Sequence, residues 1–457
     1  MLGMRMVEAG WLLLEKPASP MHISSLLLFK KAKNYNVLHY WRKRFAKIRP
    51  TAPFDFVLSR NLQNPLGAWD DADVFDFDYH VRGLSLAPGE NSPADLHKMV
   101  AWLHSMPLDR HQPLWQLYVI EGLPDNRYAI LIKVHHALAD GAFGMDLMER
   151  MLCHTATEKR QEPFWSGALQ IPTSRDPKPA SRPLSLKGFR EFIPLLNGVG
   201  QGLVRTVNQK LAMTWPFQAP PSLFNQEITQ RRHLEVSVFP MAEIQDCAHR
   251  HDATINDIVL FLTGTALRAY MRQKHNLPKQ SLNALIAVSL RTQEESGPGC
   301  RLGFALAELG TQDPGSKQRL TRIKRSTAAS KKFLQNFKHG EKLALTTALD
   351  VLFVTSHFVP KLSKLLPQVA NLLVSNVKGP KQKLFFNGDP LEQIVPLSVL
   401  LDGQSINVTA LSYDDKLFVS CISCPDIVTD PEVLQSGFAH AWDELQNLSP
   451  RQAHAIH

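Results

Sequence analysis

The pattern of apolar positions is clearest between residues 128 and 152. Apolar residues first alternate with a period of two, which predicts a strand that ends at the adjacent pair His135 and His136. Because successive side chains of a strand point to opposite faces, we expect the two imidazoles to face opposite sides, with His136 on the more apolar one. After Asp140 and Gly141 the apolar period lengthens to three or four residues, which predicts the start of a helix.

Similar periods predict the other elements. Strands are predicted at residues 21–29, 75–81, 116–121, 233–239, 284–290, 372–377, 395–401, 405–413 and 416–422. Helices are predicted at residues 7–16, 37–48, 94–104, 189–213, 241–249, 258–273, 317–337 and 431–448. Strands that alternate irregularly with helices favour an α/β or α+β fold with mixed sheets.

A segment rich in proline, serine and basic residues divides the chain. The 457 residues exceed the usual size of one hydrophobic core, and residues 155–187 have the composition of a linker or exposed crossover. We therefore predict an N-terminal domain at residues 1–155, a linker or crossover with a helix at 156–215, and a C-terminal domain at 216–457.

Composition narrows the class of protein. Hydrophobic residues make up 44% and charged residues 20% of the chain, as in globular proteins. The sequence has no long apolar run of membrane-spanning type, no signal-peptide pattern, and five cysteines without framework spacing, which together predict a cytoplasmic location. Its net charge of +9 suits anionic lipid surfaces or phosphate-bearing ligands. Nucleic acid is not expected as a partner, because no zinc-finger or RNA-binding motif is present.

The histidine pair is the strongest candidate for chemistry. A histidine at a strand end is more often a structural residue than a catalyst, and Asp140 alone is more often a helix N-cap than a catalytic group. The adjacent pair followed by Asp140-Gly141 is a rarer arrangement. Since the two imidazoles face opposite sides, they are poorly placed to bind one metal together, which favours a single catalytic histidine with a supporting neighbour.

The motif and the order of further motifs resemble one known family. The central motif is His135-His136-x-x-x-Asp140-Gly141. Two further motifs precede it, at residues 107–110 and 113–115, and four follow it, at residues 256–257, 374–380, 396–403 and 411–413. Over its whole length the chain resembles the bacterial bifunctional wax ester synthase/acyl-CoA:diacylglycerol acyltransferases, which belong to the CoA-dependent acyltransferase superfamily. The resemblance implies two chloramphenicol-acetyltransferase-like domains, with the active site in a channel between them.

Three positions depart from the family pattern. The family usually has proline where Lys378 stands, alanine near Asp389, and a Gly-Asn pair where this chain has Gly299 to Gly303 without asparagine. The catalytic motif itself is intact.

The resemblance also implies roles for individual residues. His136 is the expected general base, His135 its support, and Asp140 a structural residue that positions the loop and pairs with Arg291. Asn256 is the candidate for stabilising the oxyanion or shaping the pocket. Four further residues are candidates for substrate binding: Gly141, Asp257, Ser375 and Asn376.

The expected reaction moves a long-chain acyl group from acyl-CoA to a fatty alcohol or to diacylglycerol. No metal and no permanently bound cofactor are expected, and the chain is expected as a monomer or weak dimer in peripheral contact with the inner membrane or lipid inclusions. Two alternatives stay open at this point. A peptide-synthetase condensation domain shares the two-histidine motif, and a non-catalytic lipid-inclusion protein would explain the basic charge.

Overall fold

The computed structural model describes residues 2–3, 6–59, 68–89, 92–158, 161–166, 213–289, 302–337, 341, 345 and 368–449. Its strands are β1 (Leu2–Gly3), β2 (His22–Lys30), β3 (Phe56–Leu58), β4 (Ala68–Asp71), β5 (Val81–Ser85), β6 (Trp115–Leu123), β7 (Arg127–His135), β8 (His233–Pro240), β9 (Asn283–Ser289), β10 (Leu302–Glu308), β11 (Leu372–Lys378), β12 (Phe385–Phe386), β13 (Asp389–Leu397), β14 (Ile406–Tyr413) and β15 (Lys416–Ser423). Its helices are α1 (Met6–Leu14), α2 (Val37–Phe45), α3 (Phe77–His80), α4 (Pro93–Ser105), α5 (Gly141–Met151), α6 (Met241–Arg250), α7 (Ile255–Gln273), α8 (Ser316–Gln335) and α9 (Pro431–Gln446).

Two six-stranded sheets carry the fold. The first has the strand order β12-β13-β2-β7-β6-β5, and the second has the order β10-β9-β11-β14-β15-β8. The first sheet is antiparallel except for the pair β5 and β6, whereas β11 in the second sheet runs parallel to both of its neighbours. A small third sheet joins β1, β4 and β3. The predicted mixture of helices with mixed sheets is confirmed.

Two strands from the second half of the chain, β12 and β13, belong to the first sheet. β13 pairs antiparallel with β2, from Leu391 opposite Phe29 to Leu397 opposite Ser24. The Ser420 hydroxyl on β15 also donates a hydrogen bond to the Pro396 carbonyl. β13 therefore ties the two sheets together. The predicted domain limits of 1–155, 156–215 and 216–457 stay a prediction, to which this exchange adds that the strands between residues 385 and 397 complete the first sheet.

Two predicted strands differ from the structure. The alternation at residues 75–81 predicts a strand, but residues 77–80 form the short helix α3, because the Asp76 side chain caps the helix by accepting from the Tyr79 N–H. The strand predicted at residues 395–401 instead spans Asp389–Leu397. The predicted helix at residues 189–213 lies almost entirely outside the described residues.

Asp389, which departs from the family pattern, is a buried acceptor for three donors. Its side chain is in a residue only 1% exposed. One carboxylate oxygen accepts from the Ala32 N–H at 2.7 Å, and the other accepts from the hydroxyls of Tyr35 at 2.6 Å and Tyr128 at 3.0 Å. The carboxylate therefore joins the start of β13 to β7 and to the end of β2.

Replacing this carboxylate is expected to destabilise the fold. Asp389→Ala would leave three donors without their acceptor, so we expect a loss of about 3 kcal/mol in the free energy of unfolding. Urea denaturation measures it. Asp415→Ala, at an exposed carboxylate in the turn before β15, is the matched control and should stay within about 0.5 kcal/mol of wild type. Equal stabilities of the two variants would contradict the structural role of Asp389.

Candidate active site

The histidine pair lies where β7 ends beside the start of β2. His135 is opposite His22 in the strand register, and one residue further the His136 N–H donates to the Met21 carbonyl at 2.8 Å. His136 is thus the first residue beyond the strand, where the chain turns towards α5. The hydrogen bonds of the first sheet therefore hold the backbone of the site in place without any contribution from a substrate.

His136 is almost completely enclosed. The residue is 6% exposed, and the Trp11 indole stacks on its ring with centroids 4.1 Å apart and planes inclined by 11°. Burial lowers the pKa of His136 to about 4, although the negative charge of Asp140 and the residue's own backbone carbonyl act in the opposite direction. The imidazole is therefore neutral at pH 7. Its Nδ1 atom is buried, which leaves Nε2 as the nitrogen that a substrate can reach.

His135 is held on the other face of the strand. Its side chain is fully buried, and its Nδ1 accepts from the Ala137 N–H at 3.1 Å. Its Nε2 lies 3.5 Å from a carboxylate oxygen of Glu15. The two rings therefore contact different partners, in agreement with the opposite faces that the strand period predicts. His135 is in a supporting position beneath the turn that presents His136.

Asp140 and Gly141 begin α5. The Asp140 side chain is fully buried and accepts from the Phe143 N–H at 2.8 Å, which makes it the N-cap of the helix. A Cβ atom on Gly141 would lie 3.4 Å from the Val377 side chain of β11. The site therefore lies where α5 of the first half meets β11 of the second. Arg291, the predicted partner of Asp140, lies outside the described residues.

The burial and the strand pairing of β11 change along its length, towards the site. Its first three residues are buried and pair with β9, and the pairing with β14 begins at Leu373, whereas the described pairing with β9 ends at Val374. Ser375 and Asn376, which follow, are half-buried and pair with β14 alone. These two predicted substrate-binding residues thus lie on the strand whose end approaches α5.

Asn256 and Asp257 lie in the first turn of α7. Asp257 caps this turn by accepting from Thr254, and its second oxygen accepts from the Thr327 hydroxyl at 2.7 Å. Both oxygens of Asp257 therefore have protein partners, one at the helix start and one on α8, and its predicted role in substrate binding stays a prediction. Asn256 is half-buried, and among the described residues no hydrogen bond joins it to His136. Its predicted role stays a prediction.

A buried polar layer, which the sequence did not reveal, lies on the His135 face of the sheet. The His104 ring contacts the Ser24 hydroxyl at 2.8 Å, and His22 contacts the His104 carbonyl at 2.9 Å. The Lys133 ammonium donates to two carbonyls at the end of α4, at 2.7 and 2.8 Å, and burial lowers its pKa to about 7. A lysine among apolar strand residues was the only sequence signal for this layer.

Buried histidines make the fold sensitive to acid. Burial lowers the pKa of His22 well below its usual value, that of His104 to about 3, and those of His80 and His136 to about 4. Between about pH 4 and 6.5 the unfolded chain therefore binds protons that the folded chain does not. In that window stability rises with pH, by up to about 1.4 kcal/mol per pH unit for each histidine.

We accordingly expect the free energy of unfolding to fall continuously as the pH is lowered from 6.5 towards 5. Lys133 adds nothing in this window, because below pH 7 it is largely protonated in both states. Urea denaturation at pH 6.5, 6.0 and 5.5 measures the effect. Equal stability at pH 6.5 and 5.5 would show that these histidines take up protons as readily in the folded protein as in the unfolded chain.

Within the described ranges, no helix is both long and apolar enough to cross a membrane.

Comparison with known protein families assigns most of the chain. Residues 4–259 match the wax ester synthase/diacylglycerol acyltransferase catalytic domain, and residues 298–446 match the C-terminal domain of the same family.

Individual relatives cover nearly the whole chain. It is 33% identical to the O-acyltransferase WSD of Acinetobacter baylyi, over 96% of this chain and 95% of the relative. It is 30% identical to a probable diacylglycerol O-acyltransferase of Mycobacterium tuberculosis, over 96% and 97% of the two chains.

The comparison with solved structures leads to the same family. The wax ester synthase/diacylglycerol acyltransferase from Marinobacter aquaeolei VT8 superposes with a TM-score of 0.77 at 26% identity, covering 98% of this chain and 99% of that one. The first condensation domain of the CDA synthetase shares the fold alone, with a TM-score of 0.59 at 13% identity, covering 98% and 97% of the chains. The chain therefore belongs to the wax ester synthase/diacylglycerol acyltransferase family, as its motifs predict.

Proposed function

We propose that this chain transfers a long-chain acyl group from acyl-CoA to the hydroxyl of a fatty alcohol or of diacylglycerol, with His136 as the general base. The observation that carries the proposal is the His136 imidazole, which is neutral, enclosed by Trp11, and placed where α5 meets β11. An alcohol is a poor nucleophile at pH 7, so a neutral imidazole that accepts its proton is the group this chemistry needs.

The proton path follows from the two ring nitrogens. Nδ1 of His136 is enclosed by the protein, so the neutral tautomer that suits a base has its proton on Nδ1 and a lone pair on Nε2, the nitrogen that a substrate can reach. Nε2 takes the proton of the alcohol as the oxygen attacks the thioester carbonyl carbon. The tetrahedral intermediate then expels the CoA thiolate, and the Nε2 proton passes to the sulfur. The products are an ester and free CoA, and the steps use neither a covalent acyl-enzyme nor a metal.

The oxyanion of the tetrahedral intermediate requires preorganised donors. Asn256 remains our candidate for this role, directly or through the shape of the pocket. Ser375 and Asn376 are candidates for contacts to substrate, since they are half-buried on the strand that approaches α5. Gly141 also stays a candidate for substrate binding, at the start of α5 where a Cβ atom would lie 3.4 Å from the Val377 side chain.

Peripheral contact with a membrane or lipid-inclusion surface is a second part of the proposal. The net charge of +9 attracts anionic lipids. Trp102 on α4 is 56% exposed, and Lys98 lies one turn earlier on the same helix. An exposed tryptophan beside a lysine suits the interface between lipid and water. Flotation with vesicles that contain or lack anionic lipid tests this part separately from catalysis.

An acceptor panel tests the reaction class. Purified protein is mixed with palmitoyl-CoA and, in separate reactions, hexadecanol, diacylglycerol or hexadecylamine, while thiol release and product formation are followed. We expect ester from one or both hydroxyl acceptors. Amide from the amine alone would favour a condensation-type activity, and no product from any acceptor would favour the non-catalytic lipid-inclusion protein.

A further inference from the structure

One short segment contacts both histidines of the motif. Trp11, on α1, covers one face of the His136 ring at 4.1 Å, and Glu15, just after α1, lies 3.5 Å from the His135 ring. The two residues are four positions apart, one in α1 and the other immediately after its last residue, so this short segment reaches both rings. The segment and the histidine strand are far apart in sequence and meet only in the folded chain.

Glu15 is the charged neighbour of His135. The Ala137 N–H donates to Nδ1 of His135 at 3.1 Å, so the neutral ring carries its proton on Nε2. That nitrogen lies 3.5 Å from a carboxylate oxygen of Glu15, a contact of opposite polarity that falls short of a hydrogen bond. Burial would raise the pKa of Glu15, but His135, the Met21 N–H and Arg110 outweigh it and lower the pKa to about 2. The carboxylate is therefore charged at neutral pH.

Arg110 anchors the segment in turn. Its guanidinium donates to the second Glu15 oxygen at 2.9 Å and to the Leu12 carbonyl at 2.6 Å. The chain of contacts runs from Arg110 through Glu15 and His135 to the Ala137 N–H. Since Ala137 immediately follows His136, this chain of contacts holds the backbone that presents the base.

We propose that residues 11–15 form a positioning clamp for the catalytic motif, in which Trp11 fixes the plane of the His136 ring and Glu15 holds the turn through His135. The clamp rests on the proposed function, because it acts through the general base. Neither Trp11 nor Glu15 needs to touch the reacting atoms.

The clamp also acts on the charge that develops during the reaction. When Nε2 of His136 accepts the alcohol proton, the ring becomes an imidazolium with its face against the indole. A cation over an aromatic face is stabilised, so the stacked contact is stronger in the transition state than in the resting enzyme. Loss of the indole should therefore lower kcat and leave substrate binding almost unchanged.

Three variants on α1 test the role of Trp11. Trp11→Leu keeps an apolar cover and removes the aromatic face, whereas Trp11→Phe keeps a ring. Leu13→Ala, at a 54% exposed position of the same helix, is the control. We expect roughly a tenfold lower kcat for Trp11→Leu, equivalent to about 1.4 kcal/mol, with KM within about twofold. Trp11→Phe should recover most of the rate, and Leu13→Ala should match wild type.

A spectroscopic readout separates positioning from general folding. The ring current of the stacked indole shifts the carbon-bound protons of His136 upfield in the NMR spectrum. In Trp11→Leu these signals should move downfield, while Trp11→Phe should keep part of the shift. Unchanged kcat in Trp11→Leu, or an equal loss in the Phe and Leu variants, would overturn the role of Trp11.

Glu15→Gln tests the other half of the clamp and keeps the test decisive if Trp11→Leu fails to fold. The amide keeps the size of the side chain and removes its charge. We expect a kcat reduced roughly threefold to tenfold at unchanged KM, and wild-type kcat in this variant would overturn the role of Glu15. If His136→Ala is as active as wild type, the proposed function fails; if only the clamp variants are fully active, the clamp alone fails.

Discussion

His136→Ala is expected to lower kcat by about a thousandfold, within the range that general-base catalysis contributes. The alcohol would then have to attack without a group to receive its proton. A thousandfold loss corresponds to about 4 kcal/mol of transition-state stabilisation. KM for acyl-CoA should change little, because the imidazole contributes mainly when the proton moves. The measurement is ester formation from palmitoyl-CoA and hexadecanol.

An exposed histidine provides the matched control. His440 lies on α9, with a side chain 63% exposed. His440→Ala should retain wild-type kcat and KM. Circular dichroism and thermal melting check that His136→Ala is folded. If folded His136→Ala kept more than a tenth of the wild-type rate, another group would have to be the base.

Substitution of Asp140 is expected to have the second largest effect. Asp140→Ala removes the cap of α5 and the negative charge near His136, so we expect about 2 kcal/mol lower stability and roughly a hundredfold lower kcat. The cap is lost because the Phe143 N–H no longer has its acceptor. The rate falls because that charge favours the imidazolium that forms when His136 accepts a proton.

Asp140→Asn separates the two effects. Asparagine is a good N-cap, so most of the stability should return. The charge is still missing, so kcat should stay roughly tenfold below wild type. Urea denaturation and steady-state kinetics on the same preparations measure both quantities. Full recovery of kcat in Asp140→Asn would mean that Asp140 acts only as a cap.

Local patterns were sufficient to place the histidine pair. The alternation from Tyr128 to His136 predicts two faces, and the structure directs His136 to Trp11 and His135 to Glu15. The face of a side chain on a strand depends only on its position in the period. The N-cap at Asp140 is equally local, since its acceptor serves an N–H three residues later.

The partners of these elements could not be predicted in the same way. The helix pattern around Trp11 predicts α1, but it does not tell which strand the helix meets. In the sequence, Glu15 was a charge in an apolar segment, and its contact with His135 depends on tertiary folding. The pairing of β13 with β2 is a similar case, because an apolar run indicates a strand without its neighbour.

At residues 75–81 the local pattern itself gave a wrong prediction. Their alternation is typical of a strand, yet Asp76 caps a single helical turn there. The buried His80 ring then contacts the Trp115 carbonyl at 2.8 Å. A short polar residue that can bond to a nearby N–H competes with strand formation, and over so few residues the cap decides the outcome.

The most direct test of the neutral His136 base is the pH dependence of kcat/KM for hexadecanol at saturating palmitoyl-CoA. Because burial lowers the pKa of His136 to about 4, the wild-type value should stay level from pH 7.5 to 5.5, and His136→Ala should be impaired at every pH. An imidazole with the ordinary pKa of about 6.5 would be roughly nine-tenths protonated at pH 5.5. A tenfold fall in the wild-type value at that pH, in protein shown by circular dichroism to be folded, would contradict the buried, neutral base.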